Sequence, residues 1–305
     1  MAIHKYDPKI YHAVLGQFEP VLRISDGDTV ITSTVDNAGH NALDQKVAEG
    51  INPQTGPFYI DGANPGDTLA IHFDKMAPNR KVGRAAVKIA PNVVDPQYIA
   101  ELPKERIIYE WELDVDKWTA TLINPDPQLG NYVLPLSPMI GCFGVAPMMN
   151  QGIAATTAST HGGNMDYNGF GAGVTVYFPV YVPGALFFLG DGHVVQGDGE
   201  ITGMGIECSF DVQFTAKVIK GKGIGNPRAE NDKYIMTAGN AKPLDQALQL
   251  ATTEMIKWLK SDYGLGDNAI GVLLGQCVKY DVGNIFDPAY TMICKLNKRM
   301  LDDIL

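Results

Sequence analysis

Glycine and proline punctuate this chain so densely that its elements must be short. There are 33 glycines and 19 prolines in 305 residues. Both residues weaken or end helices and mark turns, so the chain reads as many short strands joined by tight turns. Pro20-Val21-Leu22-Arg23-Ile24 runs into the turn Ser25-Asp26-Gly27-Asp28 and then into a β-branched stretch over residues 29–35. A second Gly-Asp turn, Gly66-Asp67, feeds another such stretch over 68–73. Residues 126–152 are crowded with glycine and proline and read as an ordered apolar loop or a linker. Further on, 174–182, the turn Pro183-Gly184 and 185–189 read as a hairpin, with another strand near 206–218.

The tail departs from this pattern. Pro243 suits a first helical turn, and Leu244, Ala247, Leu248, Ala251, Met255, Trp258 and Leu259 follow at helical spacing. Gly264 fits the helix stop after Tyr263, and a short helix is expected near 295–304. The expected class is mainly β, with sandwich- or barrel-like strands and a helix-containing C-terminal part, α+β overall. A boundary near 145 would separate an N-terminal β-rich domain (1–145) from a C-terminal β domain (146–305) carrying the helix near 243–263.

Charge narrows the partners. Lys and Arg total 24 against 34 Asp and Glu, a net charge of -10, which disfavours nucleic acid and anionic membranes. A neutral or cationic ligand, or a metal ion, suits that sign. No apolar run is long enough to span a bilayer, and the first residues lack the basic end and apolar centre of a signal peptide. The expected location is therefore cytoplasmic. Cys142, Cys208, Cys277 and Cys294 sit far apart with no C-x-x-C and read as buried free thiols. The apolar flanks of Cys142 would raise its thiol pKa and so argue against a nucleophile.

Polar chemistry concentrates in two glycine-rich phrases. One is His161-Gly162-Gly163-Asn164-Met165-Asp166; the other is Gly190-Asp191-Gly192-His193, continuing to Gln196-Gly197-Asp198-Gly199-Glu200. If 183–184 turn a hairpin, residue 174 faces residue 193, and both phrases open at one end. Imidazole with carboxylates suits zinc or a similar ion. The oxygens of Asp166, Asp191 and Asn164 suit a harder ion such as calcium. Solvated turns are the alternative, and spacing leaves both open. Asp36, at the end of a strand, reads as a turn cap or a ligand. His12 and His72 lie in strand-like stretches and read as packing residues. There is no G-x-S-x-G and no P-loop.

The chain resembles the acetamidase/formamidase family over nearly its whole length. The phrases that carry the resemblance run in order: Pro20-Val21-Leu22, Gly27-Asp28-Thr29-Val30 and Thr34-Val35-Asp36; then Asn52-Pro53-Gln54-Thr55-Gly56-Pro57 and Asp61-Gly62-Ala63-Asn64-Pro65-Gly66-Asp67-Thr68-Leu69. Gly141-Cys142-Phe143-Gly144-Val145-Ala146-Pro147 follows, and the two glycine-rich phrases above are the most specific. The resemblance implies a mainly β enzyme that hydrolyses small linear amides to ammonia and a carboxylic acid. It also implies a divalent metal, zinc or calcium, and a homo-oligomer. Asp36, His161, Asp166, Asp191 and His193 become the expected metal ligands. Glu200 becomes the expected base, and Asn164 a ligand or oxyanion donor. No role passes to His40, and Cys142 occupies a variable slot. The competing readings are a non-catalytic β module with a structural metal, and a hydrolase of larger or cyclic amides.

Overall fold

A computed structural model describes residues 1–302. Two open sheets dominate it, with helices confined to the last quarter of the chain apart from two short 3-10 turns at Pro91–Val93 and Pro96–Glu101. The first sheet has nine strands, in the order Ile3–Lys5, Thr29–Ser33, Phe210–Ile219, Thr68–Pro78, Thr175–Pro179, Arg228–Glu230, Tyr234–Ala241, Tyr290–Asn297 and Lys279–Asn284. The second runs from Val133–Pro135 through Thr119–Leu122, Ile108–Asp114, Val82–Ala86 and Glu207–Cys208 to Phe187–His193. It then continues through Met139–Val145 and Gly162–Asn164 to Ala158–Ser159, with Gln54–Ile60 branching onto Phe187–His193. Strands from both sides of residue 145 enter each sheet. The result is a mainly β, α+β architecture without a closed barrel.

Aromatic rings join the two sheets. Phe73 of the first meets Phe143 of the second edge-on at 5.1 Å, and Phe214 meets Phe187 at 5.2 Å and Phe58 at 5.3 Å. These rings are fully buried. Edge-to-face pairs add roughly 0.5–1.5 kcal/mol each beyond the area they bury, so they fix how the two layers stack.

The expected hairpin over 174–189 does not form. Thr175–Pro179 pairs with Thr68–Pro78 in the first sheet, whereas Phe187–His193 pairs with Met139–Val145 in the second. The turn between them is an arch from one sheet to the other, so residue 174 does not face residue 193. The earlier strand–turn–strand phrase does the same: Leu22–Ile24 joins Gln54–Ile60, and Thr29–Ser33 joins Phe210–Ile219. Continuous apolar runs show that strands are buried but not which neighbour buries them.

Three other expectations change. Within 126–152, Met139–Val145 is a central strand buried along its whole length, so that segment is neither loop nor linker. Over 295–304, Tyr290–Asn297 is a strand and only Arg299–Asp302 is helical; Asp303 and Ile304 lie outside the described residues. A helix absent from the sequence reading, Asp267–Cys277, follows the long one. It buries only Ile270 and Leu274, a stripe too thin to stand out between Gly271 and Gly275.

The long helix is where the spacing put it, at Leu244–Tyr263, with Pro243 as N-cap and Gly264 left-handed at its C-cap. It packs closely on Tyr234–Ala241: a Cβ on Gly239 would come within 1.9 Å of the Ala247 carbonyl oxygen. The Thr237 hydroxyl donates to the Ala251 carbonyl at 2.7 Å. All four cysteines are free, and Cys277 alone is not fully buried.

Candidate metal centre

The strand Met139–Val145 brings the two glycine-rich phrases together. On one side Cys142 pairs with Asn164, and on the other with Gly190. Asp166 and Asp191 therefore approach each other across Gly141. A Cβ on Gly141 would lie 2.3 Å from Asp166 Oδ1 and 2.8 Å from Asp191 Oδ2, so any side chain there would fill the space the two carboxylates share. The sequence placed these phrases together through a hairpin; the structure does so through a shared third strand.

Around this point the buried acids accumulate. Ligand atoms of Asp166, Asp191 and His193 lie within 4.8 Å of one another. Those of His193, Glu200 and Glu207 do the same, and so do those of Asp166, Glu200 and Asp287. Asp166, Asp191, His193, Glu200 and Glu207 are buried, and Asp287 is partly so. His193 Nε2 lies 3.0 Å from Glu207 Oε1 and 3.4 Å from Asp191 Oδ1, yet no hydrogen bond satisfies it. Asp166 Oδ1 and Glu207 Oε2 are likewise buried without a hydrogen-bond partner. Among the described residues, no lysine or arginine forms an ion pair with any of these five carboxylates.

Amides hold the acids in place. Asn52 Nδ2 lies 3.0 Å from Asp191 Oδ2 and 2.7 Å from Asn164 Oδ1. Asn164 donates in turn to Asp287. Asn284 Nδ2 lies 2.6 Å from Asp166 Oδ2, 2.8 Å from Asp287 Oδ2 and 3.1 Å from Glu200 Oε2. Gln196 Oε1 sits 2.7 Å from His193 Nδ1. With that nitrogen donating to the amide oxygen, Nε2 is the nitrogen that faces the carboxylates and would give its lone pair to an ion bound there, as a ligating histidine requires. Asp166, Asp191 and Glu200 all have positive φ, at 41°, 63° and 47°. Non-glycine residues adopt this region at a cost of about 1–3 kcal/mol each, and such strain clusters at functional sites.

Electrostatics match the geometry. Burial pushes the carboxyls of Asp166, Glu200 and Asp287 up, and neighbouring carboxylates push them further. Burial also takes Glu207 up to about 8. For His193 burial works downward, but Glu207 and Asp191 outweigh it and hold the imidazole well above its ordinary value. Burial opposes ionisation of Asp191 too, yet His193 and the surrounding hydrogen bonds keep its carboxyl below the usual value. Several ionised carboxylates cannot share a dry site without a cation. The orphaned oxygens, the lone imidazole nitrogen and the gap at Gly141 fit a divalent ion.

Two residues expected among the ligands lie outside these groups. Asp36 accepts from Arg80 Nη2 at 2.8 Å and from the His40 backbone N–H at 2.8 Å, so its charge already has a partner. His161 is buried with both ring nitrogens unpartnered, and burial alone takes it down to about 4. Burial likewise raises the Cys142 thiol well above its ordinary value. His12 stacks on Phe18 at 4.1 Å and His72 bonds Thr175 at 2.9 Å. The sequence reading missed Glu207, Asp287, Asn52, Asn284 and Gln196. Glu207 had a signal, as a lone acid between Ile206 and Cys208 in a strand.

The description "Acetamidase/Formamidase family" belongs to a family model that matches residues 91–290. A candidate formamidase of Schizosaccharomyces pombe is 25% identical over 269 residues, covering 70% of this chain and 64% of that protein. The chain thus spans under two thirds of that relative's length. An acetamidase structure from Yersinia enterocolitica is 32% identical, with 98% of this chain and 93% of that one aligned at a TM-score of 0.84. An acetamidase structure from Bacillus halodurans is 29% identical at the same TM-score, over 98% of this chain and 99% of that one.

Proposed function

The chain belongs to the acetamidase/formamidase family, and on that premise we propose that it hydrolyses the C–N bond of small linear amides to ammonia and a carboxylic acid. We place the chemistry in the buried acidic chamber, with a divalent cation, zinc or calcium, held by His193, Asp191, Asp166, Glu207 and Asp287, and with Glu200 beside it. The observation that carries the reading is the surplus of buried carboxylates around one imidazole, with ligand atoms left unpartnered. The imidazole-bearing end suits zinc; the end with Asp166 and Asp287 is all oxygen and suits calcium.

An amide resists hydrolysis because its nitrogen donates into the carbonyl and leaves poorly. A bound divalent ion lowers the pKa of water to about 7 and polarises a carbonyl. The chain's own groups do the rest. Glu200 and Glu207 line the cavity over the chamber, and burial raises both carboxyls, which favours their taking up a proton during the reaction. Glu200 is the base in this reading: it takes the proton of the attacking water and returns it to the departing nitrogen. Asn164 accepts from Asn52 at Oδ1 and donates one Nδ2 hydrogen to Asp287; in this reading its second Nδ2 hydrogen would serve the oxygen where negative charge develops.

No helix among the described residues is long and apolar enough to cross a membrane. The reading keeps a cytoplasmic homo-oligomer as its setting. Exposed Tyr132 and Val133, at the edge of the second sheet, support self-association through that edge.

The test is ammonia release from formamide and acetamide by purified protein, before and after chelation and with zinc or calcium restored. Release that stops on chelation and returns with one ion supports the reading and names the ion. Folded protein that releases no ammonia with either ion would overturn it.

A further inference from the structure

The cavity over the chamber is larger than the smallest amides require. It holds about 600 Å3, whereas acetamide, with four heavy atoms, fills on the order of 100 Å3 at liquid packing. Its lining is not acidic throughout: Ile51, Ile108, Met204 and Phe286 give it apolar surface, beside the cationic Lys46, Arg84 and Arg106. Ile108 is 46% exposed and Phe286 37%, so both have apolar surface left for a ligand to cover. Such a wall offers nothing to formamide, which has no carbon beyond its carbonyl.

Phe286 is also held in place. Its ring lies against Gly203, where a Cβ would come within 2.4 Å of ring carbons and where φ is +65°. Arg106 Nη2 donates to the Gly203 carbonyl at 3.0 Å, and its guanidinium lies 5.8 Å from the centre of the Phe286 ring. On the other side, the Phe286 backbone N–H donates to Asn284 Oδ1 at 2.7 Å. Asn284 is the residue whose amide touches Asp166, Glu200 and Asp287. The ring therefore has a fixed position relative to the carboxylates, which is what a selecting wall needs.

We infer that Phe286, with Ile108 and Met204, is a specificity-determining wall for linear amides with apolar acyl chains of four to six carbons, and that Arg106 is a positioning residue for Phe286. This rests on the amide-hydrolase reading and names its substrate class. Each methylene covered by the wall adds about fourfold to binding, and to kcat/KM where the contact persists in the transition state.

The experiment is a homologous series on the metal-loaded protein. kcat/KM is measured from formamide to hexanamide, and the affinity of n-alkanoic acids from formic to hexanoic is measured by calorimetry. Both series should rise about fourfold per methylene through four to six carbons. Phe286→Ala should lower the butyramide-to-formamide ratio at least fourfold. Arg106→Gln, which keeps a polar side chain at this lining position but removes the guanidinium over Phe286, should lower it about twofold, as a rise in KM for butyramide more than a fall in kcat. Alkanoate affinity that is flat or falls with chain length overturns the wall, as does an unchanged ratio in both variants. Turnover with flat series removes the wall and leaves the hydrolase reading. Rising alkanoate affinity with no turnover of any amide keeps the wall and removes the hydrolase.

Discussion

Two sets of buried acids beside one cavity meet the same problem differently. Asp36 is buried beside Arg80, also buried, at 2.8 Å. The chamber around His193 buries several carboxylates with one imidazole and leaves three ligand atoms without hydrogen bonds. In the first the chain supplies its own cation; in the second, on the proposed reading, a metal ion would supply it. A buried carboxylate is therefore a poor marker of function by itself. What separates a structural acid from a ligand is whether a fixed side chain already answers its charge.

The largest expected effect breaks the second arrangement. His193→Ala, or chelation of the wild type, should remove bound metal and lower amide turnover on the order of 10^3-fold, about 4 kcal/mol. Metal analysis beside an ammonia assay checks this, and normal turnover by metal-free protein would refute it. Arg80→Met breaks the first. It leaves Asp36 buried with only the His40 ring, 3.3 Å away, left to offer a counter-charge, at a cost of roughly 3 kcal/mol in stability, while metal content per folded molecule stays as in the wild type. Urea unfolding with metal analysis separates the two readouts. A loss of metal in this variant would mean that Asp36 belongs to the centre after all.

His161 sharpens the contrast, because it is buried with no charged partner. Its ordinary pKa of 6.5 falls to about 4 on burial. As pH drops below 6.5 the unfolded chain takes up the proton while the folded chain refuses it. The contribution of His161 to stability is thus complete above pH 6.5 and is lost between 6.5 and 4, on the order of 3 kcal/mol. The stability difference between wild type and His161→Phe, followed by urea unfolding, should shift toward the variant over that window. A constant difference would place a partner on the ring. The smallest effect concerns orientation: Gln196→Leu removes the amide beside His193 Nδ1 and should weaken metal binding about 10–100-fold. A competition titration against a chelator of known affinity measures it, and unchanged affinity would show that the imidazole is held by something else.

Part of the buried acidic cluster was readable before any coordinates. Asp166, Asp191 and His193 stand in glycine-rich phrases that let backbone and ligand approach closely, and the structure joins all three. Asp287 and Asn284 could not be found that way. They lie more than 80 residues from Glu200 in sequence, in a strand end and loop with no unusual composition. Asp36 shows the opposite case: its local phrase looks like a ligand's, and only Arg80, 44 residues away in the chain, shows that its charge is already answered.

The sequence by itself determined local matters. It set the short strands through glycine and proline, the long helix through 3.6-residue spacing between Pro243 and Gly264, and the residues able to bind a metal. Those follow from backbone torsions and side-chain chemistry, which act over a few residues. The tertiary structure alone decided which strands pair, so that two apparent strand–turn–strand units became arches between sheets. It also decided which acids share a chamber and which acid has an arginine. Strand pairing, burial and charge neutralisation depend on groups far apart in the chain, and nothing in a local phrase records which distant partner desolvates or neutralises it.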